Sequence, residues 1–287
     1  MRGKMRDLTA PSPLLREGRG GRESRSNKLS TGAAPSRSGS PPLPKLPPRR
    51  ANARGARRGR GRLCLLLVLF LMFGVAMPTH SQHLDPGSIE RQRRAMLEAA
   101  EKGDVSSINR VLMAGGSVNV KDDLARTPLH LAVAADRLDT VKLLLDEGAD
   151  INAVAHDLDT PWLLAGARGR TEMLRLMQPK NPDFTKRNRY GGNALIPACH
   201  YGHVETVKFL LGTRIDVNQV NDLGWTCLLE AVILGDGGPR HQEIVRSVLK
   251  AGANPNIADR KGDTPLSHAR AKGQTQIIAI LEASGGR

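Results

Sequence analysis

The sequence has no Gly-x-Ser-x-Gly elbow, no phosphate loop, no dinucleotide-binding glycine fingerprint and no His-Glu-x-x-His pair. The nucleophile turns, phosphate cradles and metal-ligand pairs of the commonest enzyme classes are therefore absent as patterns. No catalytic residue, cofactor or metal is expected. Cysteine is scarce: Cys64 lies in an apolar run, while Cys199 and Cys227 stand apart with no Cys-x-x-Cys spacing. Such cysteines imply neither a disulfide framework nor a zinc site, and Cys199 and Cys227 read most simply as small buried side chains. Aromatic residues make up only 3% of the chain, so those that fall on a surface carry information.

The formal net charge of +15 points toward a polyanion until its distribution is considered. Residues 1–62 hold 17 of the 43 basic residues and 3 of the 28 acidic ones, which leaves 26 against 25 in the rest of the chain. The foldable part is near neutral, so no phosphate-binding face and no nucleic-acid partner are expected.

Residues 1–62 are rich in Gly, Pro, Ser and Arg without apolar periodicity. They bury too little to offset the entropy of ordering and are expected to form a disordered basic leader. Arg57, Arg58, Arg60 and Arg62 then precede fifteen uncharged residues, Leu63 to Met77. A basic flank, an apolar run and small residues form a secretory signal peptide, with cleavage after Ala76 or Ser81 both open. The rival reading is an uncleaved anchor at 63–77, for which the run is short, since a span takes about 20 residues. Either way the portion beyond lies outside, in a periplasmic setting; a cytoplasmic protein with a misread apolar segment is the remaining alternative, and a membrane is a partner only if the leader stays uncleaved. The leader is long for a signal peptide. The stretch Ala10-Pro-Ser-Pro-Leu-Leu-Arg-Glu-Gly-Arg-Gly-Gly-Arg-Glu23 resembles translated intergenic repeat DNA, which would place the true start downstream, at a non-ATG codon because no Met lies between Met5 and Met72.

A fixed internal period governs the remainder. Thr127, Thr160, Asn193 and Thr226 are 33 residues apart, and Thr264 follows after 38; five residues beyond each stands Ala132, Ala165, Ala198, Ala231 or Ala269, and Ala99 extends the series backwards. Asn119, Asn152, Thr185, Asn218 and Asn256 repeat the same register. Within a unit, Thr caps a helix and the following Pro loses nothing by lacking an N–H there. Leu129, Ala132 and Val133 then share one face, Val141, Leu144 and Leu145 do so on a second helix, and Gly148 supplies the left-handed stop. One helix pair cannot bury its apolar face alone, so the units must stack. Arg91, Arg93 and Arg94 at one end and Arg270, Lys272 and Gln276 at the other are expected to form polar caps.

Thr127-Pro-Leu-His-Leu-Ala132, Val141-Lys-Leu-Leu-Leu145, Gly148-Ala-Asp-Ile-Asn152, Gly252-Ala-Asn-Pro-Asn256 and Gly262-Asp-Thr-Pro-Leu266 resemble the ankyrin-repeat family. More narrowly, the segments Tyr190 to His203 and Gly224 to Gly238 resemble small, exported bacterial ankyrin proteins. The resemblance implies an all-α repeat solenoid of six stacked units, each a helix-turn-helix with a β-hairpin-like loop, at about 92–121, 122–154, 155–187, 188–220, 221–258 and 259–287. These make one domain over 92–287, behind the leader at 1–62, a signal region at 63–81 and a linker at 82–91. Departures are expected to have local effects. Gln178-Pro-Lys-Asn-Pro182 should end the second helix of the third unit early, and the five extra residues of the fifth unit fall at Asp236–His241, between its helices.

The family's register also implies contact positions: hairpin tips before the Thr-Pro slot, and the end of each first helix on the concave face. Carried over, the tips include Leu124, Arg126, His156, Arg189, Tyr190, Leu223, Trp225 and Lys261, and the concave set includes Ala134, Ala135, Arg168, His200, Tyr201, Ile233 and Leu234. Outside the leader the aromatics are Trp162, Phe184, Tyr190, Tyr201, Phe209 and Trp225; three of them fall on contact positions. Binding energy concentrates on Trp, Tyr and Arg, so the candidate partner-binding set is Tyr190, His200, Tyr201, Trp225, Ile233 and Leu234, with Arg189 and Arg126. The competing structural reading folds Trp225 onto the stack and packs Ile233 and Leu234 under the insertion. His130 and His203 are expected to serve structure. His200 and His241 are freer and define a rival function, a metal-binding or accessory enzyme role on the same scaffold. The reading favoured is a non-catalytic scaffold that binds a protein partner.

Overall fold

A computed structural model describes residues 85–287; the expectations for the leader and the signal region lie outside the described residues. Twelve α-helices follow in pairs, the first of each pair odd-numbered here. They are α1 Pro86–Lys102 and α2 Val105–Met113, α3 Pro128–Ala134 and α4 Leu138–Asp146, α5 Pro161–Ala167 and α6 Thr171–Met177, α7 Leu195–His200 and α8 Val204–Leu211, α9 Cys227–Ile233 and α10 Pro239–Lys250, and α11 Pro265–Ala271 and α12 Thr275–Ala283. No strand occurs among the described residues. α1 opens at Pro86, so residues 86–91, expected in the linker, are helical, with Asp85 before a proline that tolerates the first helical position.

Capping follows the register. The hydroxyls of Thr127, Thr160, Thr226 and Thr264 accept from the backbone N–H three residues on. In the fourth unit the Asn193 amide oxygen takes that place, accepting from Leu195 and Ile196. Along the odd helices Leu129, Ala132, Leu163, Ala165, Leu195, Ala198, Leu228, Ala231, Leu266 and Ala269 are buried; along the even ones Val141, Leu144, Leu174, Val207, Leu210, Val245 and Val248 are. Odd helices pack on odd and even on even, forming one continuous core. Gly166 lies where a Cβ would sit 2.7 Å from the Ala194 carbonyl, so α5 approaches the next unit as only glycine allows.

The asparagine series is the stitching along the loop side. Asn119 accepts from the Asp150 N–H and donates to the Gly148 carbonyl one unit on; Asn152, Asn218 and Asn256 repeat this with Asp183 and Asn181, Asn254 and Gly252, and Arg287 and Gly285. Thr185 instead bonds Asp183 in its own turn. Between hairpins, the His156 N–H reaches the Leu124 carbonyl and the Asp222 N–H the Tyr190 carbonyl. As expected, α6 stops at Met177, passing into a 3₁₀ turn at Gln178–Lys180 before Asn181 turns left-handed.

The reading of the cysteines is corrected. Cys199 and Cys227 are buried, but they form a disulfide with Cα atoms 5.5 Å apart, joining α7 to α9. At the far end Arg270, Lys272 and Gln276 are exposed as expected, and the Lys272 ammonium also donates to the carbonyls of Val232, Ile233 and Gly235 at the end of α9 and the start of the insertion. The first unit does carry its polar end, with Arg93 on both Glu90 oxygens and Arg94 on one.

Candidate functional site

The C-cap residues of α3, α5, α7, α9 and α11 are Ala135, Arg168, Tyr201, Leu234 and Lys272. Tyr201 is 45% exposed and its ring stacks on His200 at 4.2 Å with 12° between planes. Tyr190, on the hairpin before α7, is 36% exposed, and the Arg189 guanidinium lies 4.9 Å from its ring centroid. The hairpin is fixed by Asn188, whose amide oxygen accepts from the Tyr190 and Gly192 N–H groups, and by Gly191 at φ 70°.

Behind His200 stands Glu230, a residue outside the expected set. It occupies the slot where the second and third units carry Leu131 and Leu164, and is 6% exposed. Asn221 donates to its Oε1 at 3.0 Å; Oε2 has no hydrogen-bond partner and lies 3.7 Å from His200 Nδ1. Burial pushes the Glu230 carboxyl from 4.5 up to about 7 and holds the His200 imidazole below its usual value, with His241 adding to the latter. On the preceding hairpin, Asp159 is also raised to about 7, by burial and then by Asp157.

The other expected residues are less available. Trp225, Ile233 and Leu234 are half-buried, and Ile233 offers its carbonyl to Lys272. Arg126 is half-buried and tied to Asp122 at 2.7 Å. Thus Arg189, Tyr190 and Tyr201 of the fourth unit are exposed, whereas His200, like Trp225, Ile233, Leu234 and Arg126, is half-buried.

The histidines divide differently from expectation in one case. His130 is buried; the Thr127 N–H donates to its Nδ1, and its Nε2 faces the Asp159 carbonyl of the next unit at 3.2 Å. His203 is half-buried, and burial lowers it. His241, expected to be free, is buried with both nitrogens engaged, by Asp236 Oδ1 at 2.7 Å and the His200 carbonyl at 3.1 Å. It belongs to the clasp that folds the insertion against the fourth unit, and Gly235 is required beneath its ring. Asp259, Asp263 and His268 bring ligand atoms within 4.8 Å of one another. Asp259 is engaged there as the hairpin residue, accepting from the Lys261 and Asp263 N–H groups and pairing with His268. Among the described residues no helix is long and apolar enough to cross a membrane.

The family model for ankyrin repeats in three copies matches residues 61–155 and 162–259. The chain belongs to the ankyrin-repeat family. It is 40% identical over 199 residues to the ankyrin repeat protein YahD of Escherichia coli, covering 69% of this chain and 99% of that protein. An ankyrin repeat domain from Acinetobacter baumannii superimposes with a TM-score of 0.65 at 43% identity, covering 67% of this chain and 98% of that one. The ankyrin domain of Bcl-3, an IkappaB-family member, gives 0.60 at 27% identity, covering 67% and 86%. Ankyrin repeats are a general protein–protein interaction module.

Proposed function

We propose that this ankyrin protein is a non-catalytic scaffold that binds a protein partner on the hairpin tip and concave face of its fourth unit, and that it works outside the cytoplasm. The observation that carries the binding reading is the pairing of exposed Tyr190 and Tyr201 with Arg189 and His200, on a chain with few aromatic residues. These are the residue types on which binding energy concentrates, and the stack and the fixed hairpin hold them ready, which lowers the entropy lost on association. The Cys199–Cys227 bond supports the setting, since structural disulfides persist in oxidising compartments, and it agrees with a signal peptide at 63–77.

Affinity capture from the periplasmic fraction of the source bacterium, with the wild type beside a Tyr190→Ala/Tyr201→Ala variant, tests the face. Proteins recovered by the wild type and lost by the variant support it; identical recovery by both removes it. Alkaline phosphatase fused after residue 90 reports on the setting, being active if the repeats are exported and inactive otherwise.

A further inference from the structure

The insertion of the fifth unit is held on its two sides by different chemistry. Toward the sixth unit, the Lys272 ammonium donates to the Val232, Ile233 and Gly235 carbonyls and the Gln274 amide to those of Val232 and Gly235. Toward the fourth unit the donor is an imidazole, the side chain whose charge ordinarily changes between pH 5 and 8. His241 Nε2 lies 3.1 Å from the His200 carbonyl at the end of α7, and Nδ1 lies 2.7 Å from Asp236 Oδ1. Both partners only accept. A carbonyl has no proton to give, and the Asp236 carboxyl is held ionised, below its usual value, by the Gly238 N–H and the imidazole. A neutral imidazole has one N–H and one lone pair, so it can serve one of these acceptors; both bonds together require the imidazolium.

The charged and titratable groups around the ring are few. Asp236 is bonded to it, Arg240 precedes it on α10 and is exposed, and Glu243 is tied to Lys208 at 3.2 Å. Lys272 sits on the carbonyl of Gly235, the residue beneath the ring; His200 has Glu230 3.7 Å from its Nδ1, and His203 lies against Gly169 of the unit before. We propose that the Asp236–His241 insertion is a proton-operated latch: with both imidazole nitrogens protonated it closes on the His200 end of α7, and with one proton lost it parts from the fourth unit while staying held to the sixth. The bond that survives is the one to the carboxylate, because it joins the stronger acceptor. The Nε2 lone pair then faces the His200 oxygen across a site where the ring is buried, so the two separate. The latch is thus closed on the acid side and lost as pH rises. It acts on the residue beside Tyr201, yet stands whether or not that face binds a partner.

Hydrogen exchange of the full chain, corrected for the intrinsic pH dependence of amide exchange, reads the latch in residues 235–242. Protection there should be about tenfold higher at pH about 5.5 than at pH about 8, as the loss of one charged hydrogen bond implies, with no such change in residues 138–146 of the second unit. Glu230→Gln, which removes the other titrating group beside His200, should keep the difference, and His241→Gln should abolish it. Asp236→Asn, which removes the carboxylate that favours the imidazolium, should move the midpoint of the change down by about one pH unit. Nitrogen-15 shifts of the His241 ring count its protons, and two N–H nitrogens are expected at pH about 5.5. One N–H and one lone pair there, equal protection at both pH values, an equal change in both segments, or a difference that survives in His241→Gln overturns the latch. Should His241→Gln not fold, the ring nitrogens and the Asp236→Asn midpoint decide, an unmoved midpoint counting against it.

Discussion

The second unit and the fourth-to-fifth pair show two uses of one repeat. In the second, the signature residues are spent on the stack: Thr127 caps α3, His130 bridges to the next hairpin, Leu131 is buried, and Asn152 stitches its loop to the next unit. In the later pair Asn193 replaces the capping threonine, Cys227 takes the proline slot and Glu230 stands where Leu131 would, while an insertion clasps back through His241. The departures do not weaken the fold at random. They exchange apolar burial for a covalent link and a polar cluster beneath the His200–Tyr201 stack.

The comparison breaks most directly at the disulfide. Closing 28 residues of sequence separation should stabilise the chain by about 3 to 4 kcal/mol through the unfolded state. Cys199→Ser/Cys227→Ser should therefore lower the denaturation midpoint far more than Met113→Ser, an exposed change in the first unit. A smaller effect is expected from Gly166→Ala, which forces a methyl against Ala194 and should cost about 1 to 3 kcal/mol, measured by urea unfolding.

Glu230 predicts a pH dependence. Its folded value of about 7 lies above the ordinary 4.5, so its contribution to stability is complete below about 4.5 and is lost as pH rises through about 7. The stability of the wild type relative to Glu230→Gln should fall across that window, with a limiting slope of about 1.4 kcal/mol per pH unit. Measuring both proteins at each pH cancels the opposite trend from His130 and His203, whose lowered values favour the fold as pH rises toward 6.5.

The smallest effect is a gain. Ala125 and Leu158 hold the left-handed hairpin position that Gly191, Gly224 and Gly262 fill in later units. A side chain there costs about 1 to 2 kcal/mol, partly offset by the freedom glycine has when unfolded. Leu158→Gly, at an exposed site, should raise stability by about 0.5 to 1 kcal/mol in thermal unfolding.

The helix pairs, their caps, the early end of α6 and the place of the insertion were legible because each rests on local residue chemistry repeated at a fixed register. The disulfide was not: Cys199 lies five register positions beyond Cys227, and only the stagger between units brings α7 and α9 together there. The candidate face was partly legible. Tyr190 and Tyr201 follow from the register, but the engagement of His241 depends on how the insertion folds back. Glu230 did leave a signal, a carboxylate in a slot filled by leucine in two earlier units, and nothing in a single unit reveals that it lies behind His200.

The most direct test of the binding face is site-specific photo-crosslinking in cells of the source organism, with a benzophenone amino acid at Tyr201 or, as the control, at exposed Leu138 of the second unit. A discrete protein adduct from position 201 and none from 138 is the predicted result. Adducts of equal yield at both positions, or at 138 alone, would contradict it.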